Sequence, residues 1–128
     1  MKLLIIDSDP LTLKSLEIML AKERDITVLG LADDVIKALD ICHSNEPTGI
    51  LMAICTNNIN GIKLIKAYYP NVKIILLVNF AANAHTGEQV LRLGADGYLE
   101  KTDDIHLIIE KLRKMILDSN VLNGKIEK

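Results

Sequence analysis

The chain has 128 residues, 49% of them hydrophobic, 25% charged and 3% aromatic, with a formal net charge of −2. One domain of about this length buries roughly two thirds of its unfolded surface, and abundant Ile, Leu and Val at so low a charge exclude a disordered segment. Two cysteines cannot staple a disulfide scaffold, no apolar run reaches the ~18 residues of a membrane span, and three arginines without a tryptophan make a poor nucleic-acid surface.

Short apolar runs alternate with amphipathic stretches. Residues 3–6 read as a strand that stops at Asp7, too short for the hydrophobic region of a signal peptide. Asp9 and Pro10 start a helix, with Asp as N-cap and Pro in the first turn, and Leu13, Leu16 and Leu20 mark its inner face. A strand at 26–31 precedes a helix marked by Val35, Leu39 and Cys42. A strand at 50–54 precedes a short third helix marked by Ile62, Ile65 and Tyr69. After a strand at 74–78, residues 79–84 show no clear period. The best start for a fourth helix is Thr86, with Gln89 three residues on as a capping box. Gly94 is placed for a left-handed helix end, and 97–99 form the last strand. The final helix is the clearest, with Ile105, Ile108, Ile109, Leu112 and Ile116 on one face. Asp103 and Asp104 complement its positive end, and Lys111, Arg113 and Lys114 lie nearer its negative end. From Asp118 the periodicity is lost, so residues 1–118 form the domain and 119–128 a polar tail or the start of a linker.

The strands are continuous rather than alternating, as expected when helices cover both faces of a parallel sheet with right-handed crossovers. Leu4, Ile6, Ile50, Met52, Ile75 and Leu77 should form its centre with the stripe of the last helix. In such a sheet ligands bind beyond the carboxyl ends of the strands. The residues there are Asp7, Ser8 and Asp9, then 53–60, then Val78 and Asn79, then Lys101.

At these loops the chain resembles the receiver domains of bacterial two-component response regulators, over about residues 1–118. The resemblance is carried by Lys2-Leu-Leu-Ile-Ile-Asp7-Ser-Asp-Pro10, by Asn60-Gly61-Ile62 and by Gly94-Ala-Asp-Gly-Tyr-Leu-Glu-Lys101. Asp25-Ile-Thr-Val-Leu-Gly30 and the wording around Tyr98 are most similar to the branch with a C-terminal helix-turn-helix of LuxR/NarL type. It implies a flavodoxin-like (CheY-like) doubly wound three-layer α/β sandwich, with five parallel strands in the order 2-1-3-4-5 and five helices. It also implies phosphoryl transfer from a histidine kinase to an Asp at the end of strand three. Two acids after strand one help hold Mg²⁺, a hydroxyl follows strand four, and a Lys follows strand five. Crowded carboxylates and phosphoryl oxygens need a dication and an ammonium to be stable.

The chain departs from that pattern. Asp7 matches the first acid, but Ser8 stands at the second and Ala53 at the acceptor. A methyl group cannot accept a phosphoryl group. The hydroxyl position falls on Val78 or Asn79, depending on the end from which it is counted, and Thr56-Asn57 replaces the usual Met-Pro. Lys101 is retained, and Tyr98 stands at the aromatic position of the signalling face. The pattern reads as a degenerate receiver. Its vestigial phosphorylation site comprises Asp7, Ser8, Ala53, Val78, Asn79 and Lys101.

Simpler roles are available for several of these residues. Asp9 is better explained as an N-cap than as a ligand, and Asp7 with Asp9 makes a poor cation site, so no cofactor is expected. Lys101 is expected to salt-bridge Asp7 or to point to water. Cys42 and Cys55 read as small buried hydrophobes, and His43, His85 and His106 as surface residues without metal-ligand spacing. Asn57, Asn58 and Asn60 read as the turn before the third helix.

The functional expectation is a cytoplasmic, phosphorylation-independent interaction or dimerisation module of a transcriptional regulator. Its partner would be another protein or a second copy, with a histidine kinase as a further candidate, DNA reached only through a domain absent from this chain, and no membrane. The alternative is a small-ligand sensor using the vacated pocket. The charge of Asp7 to Pro10 disfavours a flavodoxin-type phosphate loop there. An enzyme lacks support, since no triad ordering, metal cluster or glycine-rich phosphate loop is present in the sequence.

Overall fold

The computed structural model describes residues 1–53, 59–79, 87–101 and 103–118. Strands β1 (Lys2–Ile6), β2 (Thr27–Ala32), β3 (Gly49–Ala53), β4 (Lys73–Val78) and β5 (Gly97–Glu100) form one sheet in the order β2-β1-β3-β4-β5. All four pairings are parallel. This is the flavodoxin-like arrangement the sequence pattern predicts. Among the described residues four helices of nine or more residues accompany it, not the five expected: α1 (Pro10–Leu20), α2 (Val35–Asn45), α3 (Ile59–Tyr68) and α5 (Ile105–Arg113). Where a further helix is expected, α4 (Gly87–Arg92) has only six residues, and the expected start at Thr86 lies outside the described residues.

Strands β1, β3 and β4 are buried along nearly their whole length, because helices cover both faces of the sheet. Successive side chains therefore enter two different cores. Leu3, Ile5, Leu51, Ala53, Ile75 and Leu77 pack against α1 and α5. Leu4, Ile6, Ile50, Met52, Ile74, Leu76 and Val78 pack with Ala38 and Cys42 of α2 and Ile62 and Ile65 of α3. This corrects the single centre expected around the last helix: Leu4, Ile6, Ile50 and Met52 belong to the opposite side from Ile75 and Leu77.

Local differences from the sequence reading have local causes. Ile26 is buried but precedes β2, which runs one residue further to Ala32. Residue 54, the expected end of the third strand, lies outside the described residues. In α2 the buried residues are Ala38 and Cys42, while Val35 and Leu39 pack half-buried at the edge of the core. Helix α3 has ten residues rather than being short, and it takes in Asn60, which is exposed. At Gly61 a Cβ would lie 2.2 Å from Val35 Cγ2, so only glycine permits α2 and α3 to approach this closely. Gly94 has φ +107, the left-handed end predicted for it.

Helix α5 continues as a π-helical turn, Lys114–Asp118. Within this turn Ile116 is buried, on the face expected from the helical stripe, and reaches the space above Gly49. Among the described residues, no helix is long and apolar enough to cross a membrane. Residues 119–128, expected as tail or linker, lie outside the described residues.

Candidate functional site

The carboxyl ends of the strands bring together residues far apart in sequence. Ile6 pairs with Met52, and one residue further along each strand stand Asp7 and Ala53. Val78 pairs with Glu100, and one residue further stand Asn79 and Lys101. Asp7 is buried, 3% exposed, with its backbone N–H donating to Ala32 O at 3.0 Å. Its Oδ1 accepts from the Asp9 N–H at 2.9 Å. Its Oδ2 lies 3.3 Å from Lys101 Nζ, so of the two dispositions open to Lys101 the ion pair is adopted. The Lys101 side chain remains 36% exposed, and its backbone N–H is fixed by Val78 O at 2.8 Å.

Ser8 is exposed in the turn that follows. Asp9 caps α1, as expected from the following Pro10. Its Oδ2 accepts from the Thr12 hydroxyl at 2.6 Å and its Oδ1 from the Leu11 N–H at 3.2 Å. Those two bonds, the Thr12 hydroxyl first, hold its carboxyl below the usual carboxylate range.

Ala53 is 6% exposed on the α1 and α5 side, across from Leu77. Val78 is buried in the other core, beside α2 and α3. Strand alternation thus puts Asn79, not Val78, in phase with Leu77 and Ala53. Tyr98 is surface-placed on β5 and lines a cleft of about 420 Å³ with Leu91, Lys111 and Met115. His43 and His106 are exposed, while His85, Cys55, Asn57 and Asn58 lie outside the described residues. Cys42 is fully buried, and burial pushes its thiol up, so it stays protonated at neutral pH.

Sequence reasoning missed the role of Asp96, the variable residue of the Gly-Ala-Asp-Gly run. Its Oδ2 accepts from the Ile74 N–H at 2.8 Å and stands 2.7 Å from Lys66 Nζ, which also donates to Val72 O at 2.6 Å. This knot fixes the amino end of β4, at the opposite edge of the sheet from Asp7. Only the motif itself marked the position, because all three partners are distant in sequence or on the backbone.

The family model for the response regulator receiver domain matches residues 3–113. The chain belongs to that family. It is 24% identical over 128 residues to the response regulator protein VraR of Staphylococcus saprophyticus, covering 98% of this chain and 61% of that protein. It is 25% identical over 123 residues to the nitrate/nitrite response regulator protein NarL of Escherichia coli, covering 94% of this chain and 57% of that protein. The receiver chain thus spans about three fifths of the length of these relatives. Among solved structures, RcsB of Salmonella enterica bound to promoter rprA superposes with a TM-score of 0.76. That match covers 88% of this chain and 65% of that one at 22% identity, a likeness of fold.

Proposed function

We propose that this receiver domain signals without aspartyl phosphorylation. In this reading it is a non-enzymatic, cytoplasmic interaction or dimerisation module of a two-component transcriptional regulator. The observation that carries the proposal is Ala53 at the end of β3, one residue beyond the Ile6–Met52 pair and beside a buried Asp7 already paired with Lys101. Phosphoryl transfer needs a nucleophile at that strand end, and a methyl group supplies none. Ser8 supplies no second carboxylate, and Val78 and Asn79 supply no hydroxyl to draw a loop toward a phosphoryl group. The continuous burial of β1, β3 and β4 and the five-stranded parallel sheet are nevertheless kept intact, which favours a domain retained for its surface.

Relatives such as VraR and NarL are response regulators, and the structural neighbour RcsB is held in a promoter complex. By analogy the partner of this domain is a second copy or another protein, a histidine kinase included, and DNA contact belongs to a domain outside residues 3–113. The test is sedimentation equilibrium with and without acetyl phosphate and Mg²⁺. The self-association constant should be the same in both conditions. A change in it that follows labelling of an Asp would end the phosphorylation-independent reading.

A second reading draws on a cleft of about 330 Å³ between α1 and α5, lined by Leu11, Thr12, Ser15, Leu77, Lys101 and Ile108. Its apolar floor, hydroxyls and one ammonium suit a small anionic metabolite. Native mass spectrometry of protein taken directly from cells distinguishes the readings: a retained small molecule favours the sensor, and a bare chain favours the interaction module.

A further inference from the structure

We propose that Lys101 alone is the counter-ion of this site and leaves no place for the divalent cation on which the family's phosphorylation chemistry depends, so that the domain's state is independent of that cation. The inference rests on the phosphorylation-independent reading and concerns how the site is held together.

A receiver with acids at positions 7, 8 and 53 would gather three carboxylates at one strand edge, and their repulsion would call for a dication. Here Ser8 and Ala53 leave Asp7 as the buried charged side chain among the described residues. One buried carboxylate is neutralised by one ammonium, and Lys101 Nζ stands 3.3 Å from Asp7 Oδ2. The nearby acid, Asp9, is committed to the start of α1 through both oxygens. Each of the four carboxylate oxygens of Asp7 and Asp9 therefore already accepts a hydrogen bond.

The donor set does not fit Mg²⁺. That ion demands near-octahedral oxygen ligands and gives up its waters reluctantly. Among the described residues, no group of three or more His, Cys, Asp or Glu side chains could hold a metal ion. A dication entering beside Asp7 would meet the Lys101 ammonium at close range, at a site whose charge is already matched.

The test is thermal unfolding of the chain titrated with millimolar MgCl₂ at constant ionic strength, combined with a double-mutant cycle between Asp7→Asn and Lys101→Met. The wild-type midpoint should move by less than about 1 °C with Mg²⁺. Lys101→Met should lower it by about 3–6 °C, because a buried carboxylate loses its counter-ion. Adding Asp7→Asn to that variant should recover part of the loss, giving a coupling between the two positions. Saturable stabilisation of the wild type by Mg²⁺, or additivity of the two substitutions, overturns the inference. Should Lys101→Met not fold, the wild-type titration alone decides. Magnesium-dependent stabilisation without incorporation of phosphate would sink this inference alone, whereas phosphate on an Asp would sink the reading beneath it.

Discussion

Single side chains set how α1 and α2 begin and how α2 ends. Asp9 and Asp34 cap α1 and α2 by accepting backbone N–H groups that would otherwise lack partners. The end of α2 is less favourable, because Glu46 adopts a left-handed conformation, φ 49 and ψ 69, where a Cβ is crowded. Glycine there removes the strain while keeping the Glu46 N–H bond to Cys42 O. We predict that Glu46→Gly stabilises the chain by about 0.5–1 kcal/mol, raising the urea midpoint without changing the slope. An unchanged or lower midpoint would show that the greater freedom of glycine in the unfolded chain outweighs the relief. The proposal for the site is also a matter of single residues: a methyl group at position 53 offers no nucleophile, whatever the rest of the fold retains.

At the scale of elements, packing decides which substitutions the domain tolerates. The contact of Gly61 with Val35 sets the distance between α2 and α3, so Gly61→Ala should cost about 1–3 kcal/mol by overpacking, read as a lower thermal midpoint. Leu112, fully buried where α5 meets the sheet, should cost about 2–5 kcal/mol when cut to Ala. The strands were legible in the sequence for the same reason that they are sensitive. Covered on both faces, β1, β3 and β4 had to be written as unbroken apolar runs of Ile, Leu, Met, Val and Ala. That writing hid which side each residue faces, so the expected centre mixed Leu4 and Met52 with Leu77 from the other core. In α2, Leu39 outranked Ala38 by hydrophobicity, yet the helix sits close enough to the sheet that the small residue faces inward. The Asp96 knot was illegible because its acceptors and donors meet only when β4 and β5 are side by side. For the site, Ala53 and Ser8 could be read only through the family resemblance, whereas the Asp7–Lys101 pair, 94 residues apart, follows from the parallel sheet.

Across the whole molecule, long-range ion pairs tie β5 and α5 back to the first quarter of the chain. Arg113 of α5 donates two hydrogen bonds of 2.8 Å to Asp25 and one of 2.8 Å to Glu23, both in the loop before β2. The Arg113 hydrogen bonds hold the Asp25 carboxyl below its ordinary value. A carboxyl with a lower value in the folded state stabilises the fold above its unfolded value, near pH 4, and that contribution is lost as pH falls through the folded value. Stability should therefore decline below about pH 4, and Asp25→Asn should make that decline shallower while lowering stability slightly at neutral pH, the pair being largely exposed. Urea midpoints at neutral and acid pH check both signs; a steeper acid decline in the variant would contradict them.

The same long-range view joins sheet, loops and site into one claim, that the receiver fold persists here without its phosphorylation chemistry. The most direct measurement is the intact mass of the chain after incubation with acetyl phosphate and Mg²⁺, followed by peptide mapping. The account predicts no added phosphoryl group, because Ala53 offers no nucleophile and the oxygens of Asp7 and Asp9 are engaged by Lys101, Thr12 and backbone amides. A stoichiometric, hydroxylamine-labile phosphoryl group at Asp7 or Asp9 would contradict it.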